Sequence, residues 1–440
     1  MNEEKLLADF KSTSKEDWIA AIEKELKGKP FESLVKPNED GFSVKPFYDR
    51  SDLPEVLQPT HEHADWTSVQ ELHLTKDSTE LIRKIETDLK QGLDAFSLYI
   101  PAGFSPKDLP KSLPTELIHS WVFWEMTPEW QEWLKDKPAE AYVSFDEPTL
   151  AAILKTKDIR SDIVSPTESN EFKQNPLILS HLYAEAGCNL VDQSAFLLLA
   201  IAIETLKGIH PPRHFGATIG VGRRLIPEIA RLRALNRIWK RPEVISSLTQ
   251  GIPFTLHARS VGWTLTPEFP YNNLVRLTLQ GTAAVLGGAN SVSLLPYDYG
   301  LAAGFSDHAR RMSINIHHLM RHESHLNRMI DPLAGAYAIE HLTNEYEARI
   351  MERYYEGFVE FAESPTGYIR WLKRQIEFGN ASTVSRISSG DTRLVEVNHL
   401  RAREPENKPE WAENPFLDAN ADNFLICPRT VYDLIQQDAV

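Results

Sequence analysis

Short apolar runs alternate with helix-like segments along most of the chain. The runs predict β-strands at 94–100, 120–124, 141–145, 159–164, 177–181, 215–219, 252–256 and 291–295. Segments with a helical period lie between or after them, at about 77–91, 189–207, 222–239, 271–286, 303–323, 339–362 and 365–378. Alternating strands and helices are typical of a parallel sheet. About eight strands predict that the sheet closes as a (β/α)8 TIM barrel of the α/β class.

One strand–loop–helix unit near the middle of the chain is the first place to look for a functional site. Ile252 to Leu256 is an apolar run that predicts a buried strand, and the polar, proline-broken residues after it predict a loop. The next helix is expected to start near Tyr271, with Asn272 or Asn273 as its N-cap. In α/β barrels the loops that follow the strands carry the active site.

The two ends of the chain differ in pattern from the barrel region. A Thr13–Glu16 capping box predicts a helix with Trp18, Ile22 and Leu26 on one face. This face could pack on the chain's own barrel or on a partner chain, and the sequence leaves both alternatives open. The predicted segments are a helical arm (1–45), the barrel (46–395) and a short irregular tail (396–440) with a helical stretch near 429–437.

Composition and charge narrow the class of protein. The 440 residues carry a formal net charge of −15, which disfavours nucleic acid as a partner because phosphate backbones attract clustered Lys and Arg. Cys188 and Cys427 lie far apart and predict no disulfide framework. The longest apolar run, 195–203, is shorter than the ~20 residues that a membrane span needs, and no secretory signal is recognised. We expect a cytoplasmic protein with neither a nucleic-acid nor a membrane partner.

Two groups of histidines are candidate metal ligands. His61 and His63 flank Glu62 in a predicted loop, and His318 and His322 are four residues apart, which would put both imidazoles on one face of a helix. Solvated loop histidines explain the first pattern, and histidines that favour a helix C-terminal dipole explain the second. We prefer these explanations and expect no metal site.

The central segment carries a family resemblance. His257–Arg276 resembles the run His-x-x-x-x-Gly-Trp-x-Leu-Thr…Tyr-Asn-Asn-x-x-Arg of the methylmalonyl-CoA mutases, and Asp331–Tyr337 resembles their Asp-Pro-x-Ala-Gly-x-Tyr. The resemblance covers most of residues 41–400. It implies a TIM-barrel substrate domain and a radical isomerisation of (R)-methylmalonyl-CoA and succinyl-CoA with adenosylcobalamin.

Catalytic positions of that family are altered in this sequence. The family's carbonyl-polarising histidine lies in Gly-Tyr-His-Met-Gln-Glu-Ala-Gly, and alignment on Glu185-Ala-Gly puts Leu182 at that position and His181 one residue earlier. Leucine donates no hydrogen bond. A slip of one residue would restore the role to His181 only if this segment is loop, because neighbouring residues of a strand face opposite sides.

Other pocket positions have changed character. Arg259 stands where the family has glutamine, and its larger, permanently charged side chain is expected to refill the cofactor cavity. Ser291–Leu295 replaces the family's Ser-Leu-His-Thr-Asn. We expect no catalytic residue, and a remnant pocket formed by His181, Leu182, Glu185, His257, Arg259, Tyr271, Asn272 and Asn273, of which the last three have structural roles.

The resemblance is greatest to the small subunit of two-chain mutases. The sequence has no Asp-x-His-x-x-Gly motif, so we expect no cobalamin-binding domain, no cofactor bound by this chain, and a large partner subunit that holds adenosylcobalamin. Two alternatives stay open. One is an active acyl-CoA mutase barrel served by a separate cobalamin-binding chain. The other is a cobalamin-independent barrel enzyme with His181, Glu185 and His257 as acid–base groups.

Overall fold

The computed structural model describes the chain as two compact units, Met1–Leu53 and Pro54–Val440. The described residues are 13–53, 59–75, 78–101, 103–123, 127–135, 142–144, 175–206, 214–241, 252–266, 269–299 and 306–400.

The first unit is a helix followed by a small hairpin. Helix α1 is Lys15–Glu25, 3-10 turns are Phe31–Leu34 and Arg50–Asp52, and β1 (Lys36–Pro37) pairs antiparallel with β2 (Ser43–Val44). Ser14 caps α1 by accepting from the amide of Asp17 at 3.1 Å, so the capping box lies one residue later than predicted. Trp18 packs on Phe47 with 4.6 Å between ring centroids. No residue of α1 is fully buried.

The second unit contains a closed parallel barrel of eight strands, as the alternating pattern predicted. Strands and helices follow in the order β3 (Thr67–His73), α2 (Ser78–Lys90), β4 (Ala95–Ile100), β5 (Ile118–Phe123), α3 (Pro128–Lys135), β6 (Tyr142–Ser144), β7 (Asn175–Leu179), α4 (His181–Glu185), α5 (Leu190–Leu206), β8 (Phe215–Val221), α6 (Leu225–Lys240), β9 (Phe254–Ser260), α7 (Pro270–Leu286), β10 (Ser291–Ser293), α8 (Asp307–His318), α9 (Tyr337–Glu363) and α10 (Pro365–Ser388). The spatial order is β10-β3-β4-β5-β6-β7-β8-β9, and β9 closes on β10.

Three strands differ from the prediction, and two of these differences share one cause. β3 was not predicted, β9 continues to Ser260, and β7 ends at Leu179 so that His181 begins α4 instead of ending a strand. The interior faces of β3 and β9 carry polar side chains such as Glu71 and Arg259, which a sequence pattern assigns to loops. The predicted strand 159–164 and the helical stretch 429–437 lie outside the described residues.

The outer helices hold the barrel through apolar packing and buried ion pairs. Phe96, Leu98 and Trp121 belong to an apolar cluster that includes Leu81 and Ile85 of α2. On the other side, Arg233 of α6 pairs with Asp331 and with Glu340 of α9. Helix α10 continues ten residues beyond the predicted end at 378. Among the helices described, none is long and apolar enough to cross a bilayer.

Candidate functional site

Polar side chains line the inside of the barrel. Alternate residues of a strand point to the same face, and on β9 these are Thr255, His257 and Arg259. They contact Ser291 of the neighbouring strand β10 and, further around the barrel, Glu71 of β3 and Tyr142 of β6. The central histidine and arginine are therefore strand residues that face the interior, whereas the sequence pattern placed them in a loop.

Arg259 forms a buried ion triad at the C-terminal end of the barrel. Its Nη1 donates to Glu185 Oε1 at 2.7 Å, and its Nε and Nη2 donate to the two oxygens of Glu71 at 2.5 and 3.2 Å. Arg259 is 4% exposed. Tyr99 donates to Glu71 Oε1 at 3.2 Å, and the guanidinium lies 6.0 Å from the ring centroid of Tyr299. The triad links β9 to β3 and α4.

A glycine on the neighbouring strand β8 makes room for α4, which carries Glu185 of the triad. Gly220 of β8 pairs with Arg259, and a Cβ at Gly220 would lie 2.3 Å from the Cβ of Ala184. Because this position has no side chain, α4 rests directly on β8 and brings Glu185 over the barrel. Glu185 also accepts from the backbone amides of Gly262 and Trp263 at 3.0 and 3.1 Å. These two hydrogen bonds hold the carboxylate of Glu185 next to the guanidinium of Arg259.

Ion pairing keeps Glu71 and Arg259 charged despite their burial. Burial opposes ionisation of Glu71, but the charge and hydrogen bonds of Arg259 outweigh it and hold the pKa of this carboxyl below its ordinary value. Burial likewise opposes the charge of Arg259, and the two carboxylates hold its pKa well above the ordinary value. One cation between two anions leaves one net negative charge in the barrel.

His181 lies beside the triad on the first turn of α4. Its Nδ1 is 2.6 Å from the hydroxyl of Thr218 on β8, and burial, together with the charge of Arg259, lowers its pKa well below 6.5. The imidazole is therefore neutral at pH 7. Because the segment is helical rather than extended, strand alternation does not separate the roles of His181 and Leu182. The histidine is buried, whereas Leu182 is half-buried.

Two further sets of hydrogen-bonded side chains lie inside the barrel, nearer than the triad to the N-terminal ends of the strands. His257 hydrogen-bonds with Ser291 at 2.8 Å, and the same hydroxyl lies 3.1 Å from Nε2 of His119, whose ring is 5.0 Å from that of His257. Burial lowers the pKa of His257 well below 6.5 and that of His119 to about 4. Lower still, Tyr142 donates to Thr255 at 2.6 Å. These bonds satisfy most of the polar atoms in this region, but Nδ1 of His119 is buried without a hydrogen-bond partner among the described residues.

Two of these interior residues, His119 and Glu71, were not identified from the sequence. His119 enters the barrel at an irregularity, where the pairing of β4 with β5 passes from Phe96–Ile118 to Ser97–Ser120 and leaves one extra residue. Glu71 lies on the unpredicted strand β3. His119 could have been identified only from the pairing register of β4 with β5, and Glu71 only from the pairing of β3.

Three predicted pocket residues belong to helix α7 and lie outside the interior of the barrel. Tyr271 is 68% exposed, and Asn272 is half-buried. Helix α7 begins at Pro270, so neither asparagine is its N-cap. The side-chain amide of Asn273 instead bridges the backbone of Thr266 and the carbonyl of Tyr297, with donor–acceptor distances of 2.9 to 3.0 Å. It fixes the loop that follows β9.

The candidate metal ligands have other partners. His61 Nε2 accepts from the amide of Asp331 at 3.3 Å, and His63 lies 3.3 Å from the carbonyl of Ala289. His318 donates to the carbonyl of Gln91 at 2.6 Å and stacks on His322. In the part of the chain that the structure describes, no three His, Cys, Asp or Glu side chains converge on a common metal position.

Known proteins are similar to this chain over its barrel. A family model described as methylmalonyl-CoA mutase matches residues 155–420. The methylmalonyl-CoA mutase of Escherichia coli (strain K12) is 32% identical over 259 residues, which are 55% of this chain and 35% of that protein. The methylmalonyl-CoA mutase small subunit of Porphyromonas gingivalis (strain ATCC BAA-308 / W83) is 23% identical over 445 residues, covering 89% and 69%. The 2-hydroxyisobutanoyl-CoA mutase large subunit of Aquincola tertiaricarbonis is 29% identical over 287 residues, covering 61% and 50%. The chain thus spans about a third of the E. coli relative and half of the A. tertiaricarbonis one.

Proposed function

Because the chain belongs to the methylmalonyl-CoA mutase family, as its motifs predicted, we propose that it is the non-catalytic small subunit of a two-chain methylmalonyl-CoA mutase. Its partner is a large subunit that isomerises (R)-methylmalonyl-CoA and succinyl-CoA with adenosylcobalamin. The observation that carries this proposal is the buried triad of Arg259, Glu71 and Glu185, which occupies the C-terminal end of the barrel.

The charge of the triad argues against binding of the substrate in this barrel. Methylmalonyl and succinyl groups each carry a carboxylate, and a buried carboxylate needs a cationic or hydrogen-bonding partner. Arg259 is already neutralised by Glu71 and Glu185, so an entering carboxylate would meet net negative charge. Leu182, at the family's catalytic position, supplies no donor for a thioester carbonyl.

The described residues do not fit the family's cofactor. An adenosyl group over the barrel would need open space at the C-terminal ends of the strands, and there Arg259 is bonded to Glu185 of α4 and to Glu71 of β3. Glu185 is held in turn by the amides of Gly262 and Trp263. We therefore assign adenosylcobalamin to the partner, and no step of the reaction to this chain.

We assign the contact with the partner in part to the N-terminal arm. Trp18, Ile22 and Leu26 form the apolar face of α1, and all three remain half-buried within their own unit. An amphipathic helix that is only half covered gains free energy from a further apolar surface. The partner chain would supply that surface.

Co-expression with the large chain from the same genome tests the proposal. We expect the two chains to co-purify, the complex to isomerise methylmalonyl-CoA, and this chain alone to show neither turnover nor binding of adenosylcobalamin. Leu182→His should leave the isolated chain inactive, because the triad remains. Turnover by the isolated chain, or failure to assemble with the large chain, would contradict the assignment.

His181 favours a second candidate function, a barrel that is itself catalytic. A buried neutral imidazole beside Glu71, Arg259 and His257 has the composition of an acid–base site. The same residue would serve an acyl-CoA mutase barrel that works with a separate cobalamin-binding chain. His181→Ala separates these functions from the scaffold: it should abolish any activity of this barrel, but leave the activity of the two-chain complex unchanged.

A further inference from the structure

Helix α7 presents an uncharged face to solvent over residues 271–282. Tyr271 is 68% exposed, Val275 62% and Leu279 40%. They are spaced by four residues and therefore lie on one side of the helix. Thr278 and Thr282 complete this face, so it has no charge over about three turns, although a quarter of all residues in the chain are charged. Exposed helix faces of globular proteins are ordinarily polar.

The last part of the described chain runs beside this helix. Arg276 of α7 donates to the carbonyl of Val395 at 2.8 Å and, at its other nitrogen, to Asn273 at 2.8 Å. Leu400, five residues further on, is 72% exposed. The sequence then continues for 40 residues, which include apolar residues at helical spacing, namely Val431, Leu434 and Ile435.

The size of the face indicates what covers it. The face covers residues 271–282, or about 18 Å of the helix, so at a width of about 10 Å it offers roughly 180 Å². A stable complex of two proteins buries about 800 Å² on each side. The face is therefore too small for a subunit interface by itself, but it matches one short amphipathic segment. Forty residues reach at least ~60 Å even as a continuous helix, more than the length of α7.

We propose that residues 429–437 of the same chain cover the uncharged face of α7. The contacts would join Val431, Leu434 and Ile435 to Tyr271, Val275 and Leu279. The hydrogen bond from Arg276 to the carbonyl of Val395 would hold the start of the tail beside α7. The tail then stabilises the wall of the barrel that follows β9. This inference does not depend on the proposed function, because it concerns one chain only.

Hydroxyl-radical footprinting of the full chain, read by mass spectrometry, tests the proposal. Tyr355 and Val359 of α9 are internal references, since they are 53% and 55% exposed and have the same chemistry as Tyr271 and Val275. We expect oxidation of Tyr271 and Val275 to be several-fold slower than that of the references. Leu434→Glu with Ile435→Glu should raise their oxidation to the reference rate.

Phe416→Glu with Leu417→Glu is the matched control, because it places the same charges elsewhere in the tail and should leave the protection unchanged. Constant oxidation of Tyr355 in every variant shows that the barrel is intact. Equal rates at Tyr271 and Tyr355 in the unaltered chain would overturn the proposal. So would protection that rises with protein concentration, which indicates a second copy, or that appears only with the large mutase chain.

Discussion

Replacing Arg259 by methionine removes the positive member of the buried triad and keeps an unbranched side chain of similar length. Glu71 and Glu185 then lose their shared cation inside the barrel. Removing one partner of a buried ion pair costs about 3–5 kcal/mol, because the remaining charge stays buried without compensation. In a unit of roughly 390 residues, an unfolding entropy of about 2.1 cal/mol/K per residue gives about 0.8 kcal/mol/K, so Tm should fall by about 4–6 °C at pH 7.

The pH dependence of this loss identifies its cause. In the unaltered chain the pKa of Glu71 is below its ordinary value, so its ionised form stabilises the fold above about pH 4.5. Without Arg259, burial raises the pKa of Glu71 above the unfolded value, and the folded protein prefers the protonated form. The difference in Tm between variant and unaltered chain should therefore shrink as the pH falls from 7 toward about 4.5.

Thermal unfolding followed by calorimetry over this pH range is the assay. Arg83→Met is the control, because Arg83 pairs with Glu80 at the surface and its loss should change Tm little. Adding Glu71→Gln to Arg259→Met should recover part of the lost stability, since it removes an unpaired charge. A deficit below about 1 °C, or one that stays constant with pH, would refute the view that Arg259 compensates buried carboxylates.

Three smaller changes test the surrounding structure. Gly220→Ala should lower stability by about 1–3 kcal/mol, since its Cβ would overlap Ala184, whereas Gly379→Ala, with no heavy atom closer than 3.4 Å, should be tolerated; differential scanning fluorimetry compares them. Asn273→Ala should speed hydrogen exchange of residues 262–266, measured by mass spectrometry, because it removes the bonds to Thr266; unchanged exchange would argue against this role. Leu182→His should give the isolated chain no isomerase activity in a methylmalonyl-CoA assay, and measurable turnover would contradict the scaffold role.

The barrel was predictable from sequence because its outer strand faces and helices follow the usual apolar periods. Strand β9 was predicted to end at Leu256, since His257 and Arg259 are polar and a pattern with buried polar residues is read as a loop. The same effect concealed β3, whose interior face carries Glu71 and His73. These two errors therefore fall where the interior is polar, at the candidate site itself.

The sequence drew attention to Arg259 by its size and charge, but it did not identify the partners of this residue. Glu71 lies 188 residues away in sequence, on the strand beyond β10, and only the closed order of the barrel brings the two together. The role of His181 depended on whether residues 180–185 are extended or helical. The close approach of Gly220 to Ala184 allows α4 to rest on β8, and this long-range contact cannot be recognised from the local pattern.

Ion pairs and hydrogen bonds connect the polar side chains inside this barrel, so a substitution at one of them affects its partners. Arg259 is compensated by Glu71 and Glu185, and Glu185 is in turn bonded to the backbone after β9. Because these groups share partners, the effects of single substitutions are not additive. A change at Leu182 alone leaves the triad intact, and a change at Arg259 alone leaves two buried carboxylates without their shared cation. Replacing the triad without loss of stability would therefore require coordinated changes at all three of its positions.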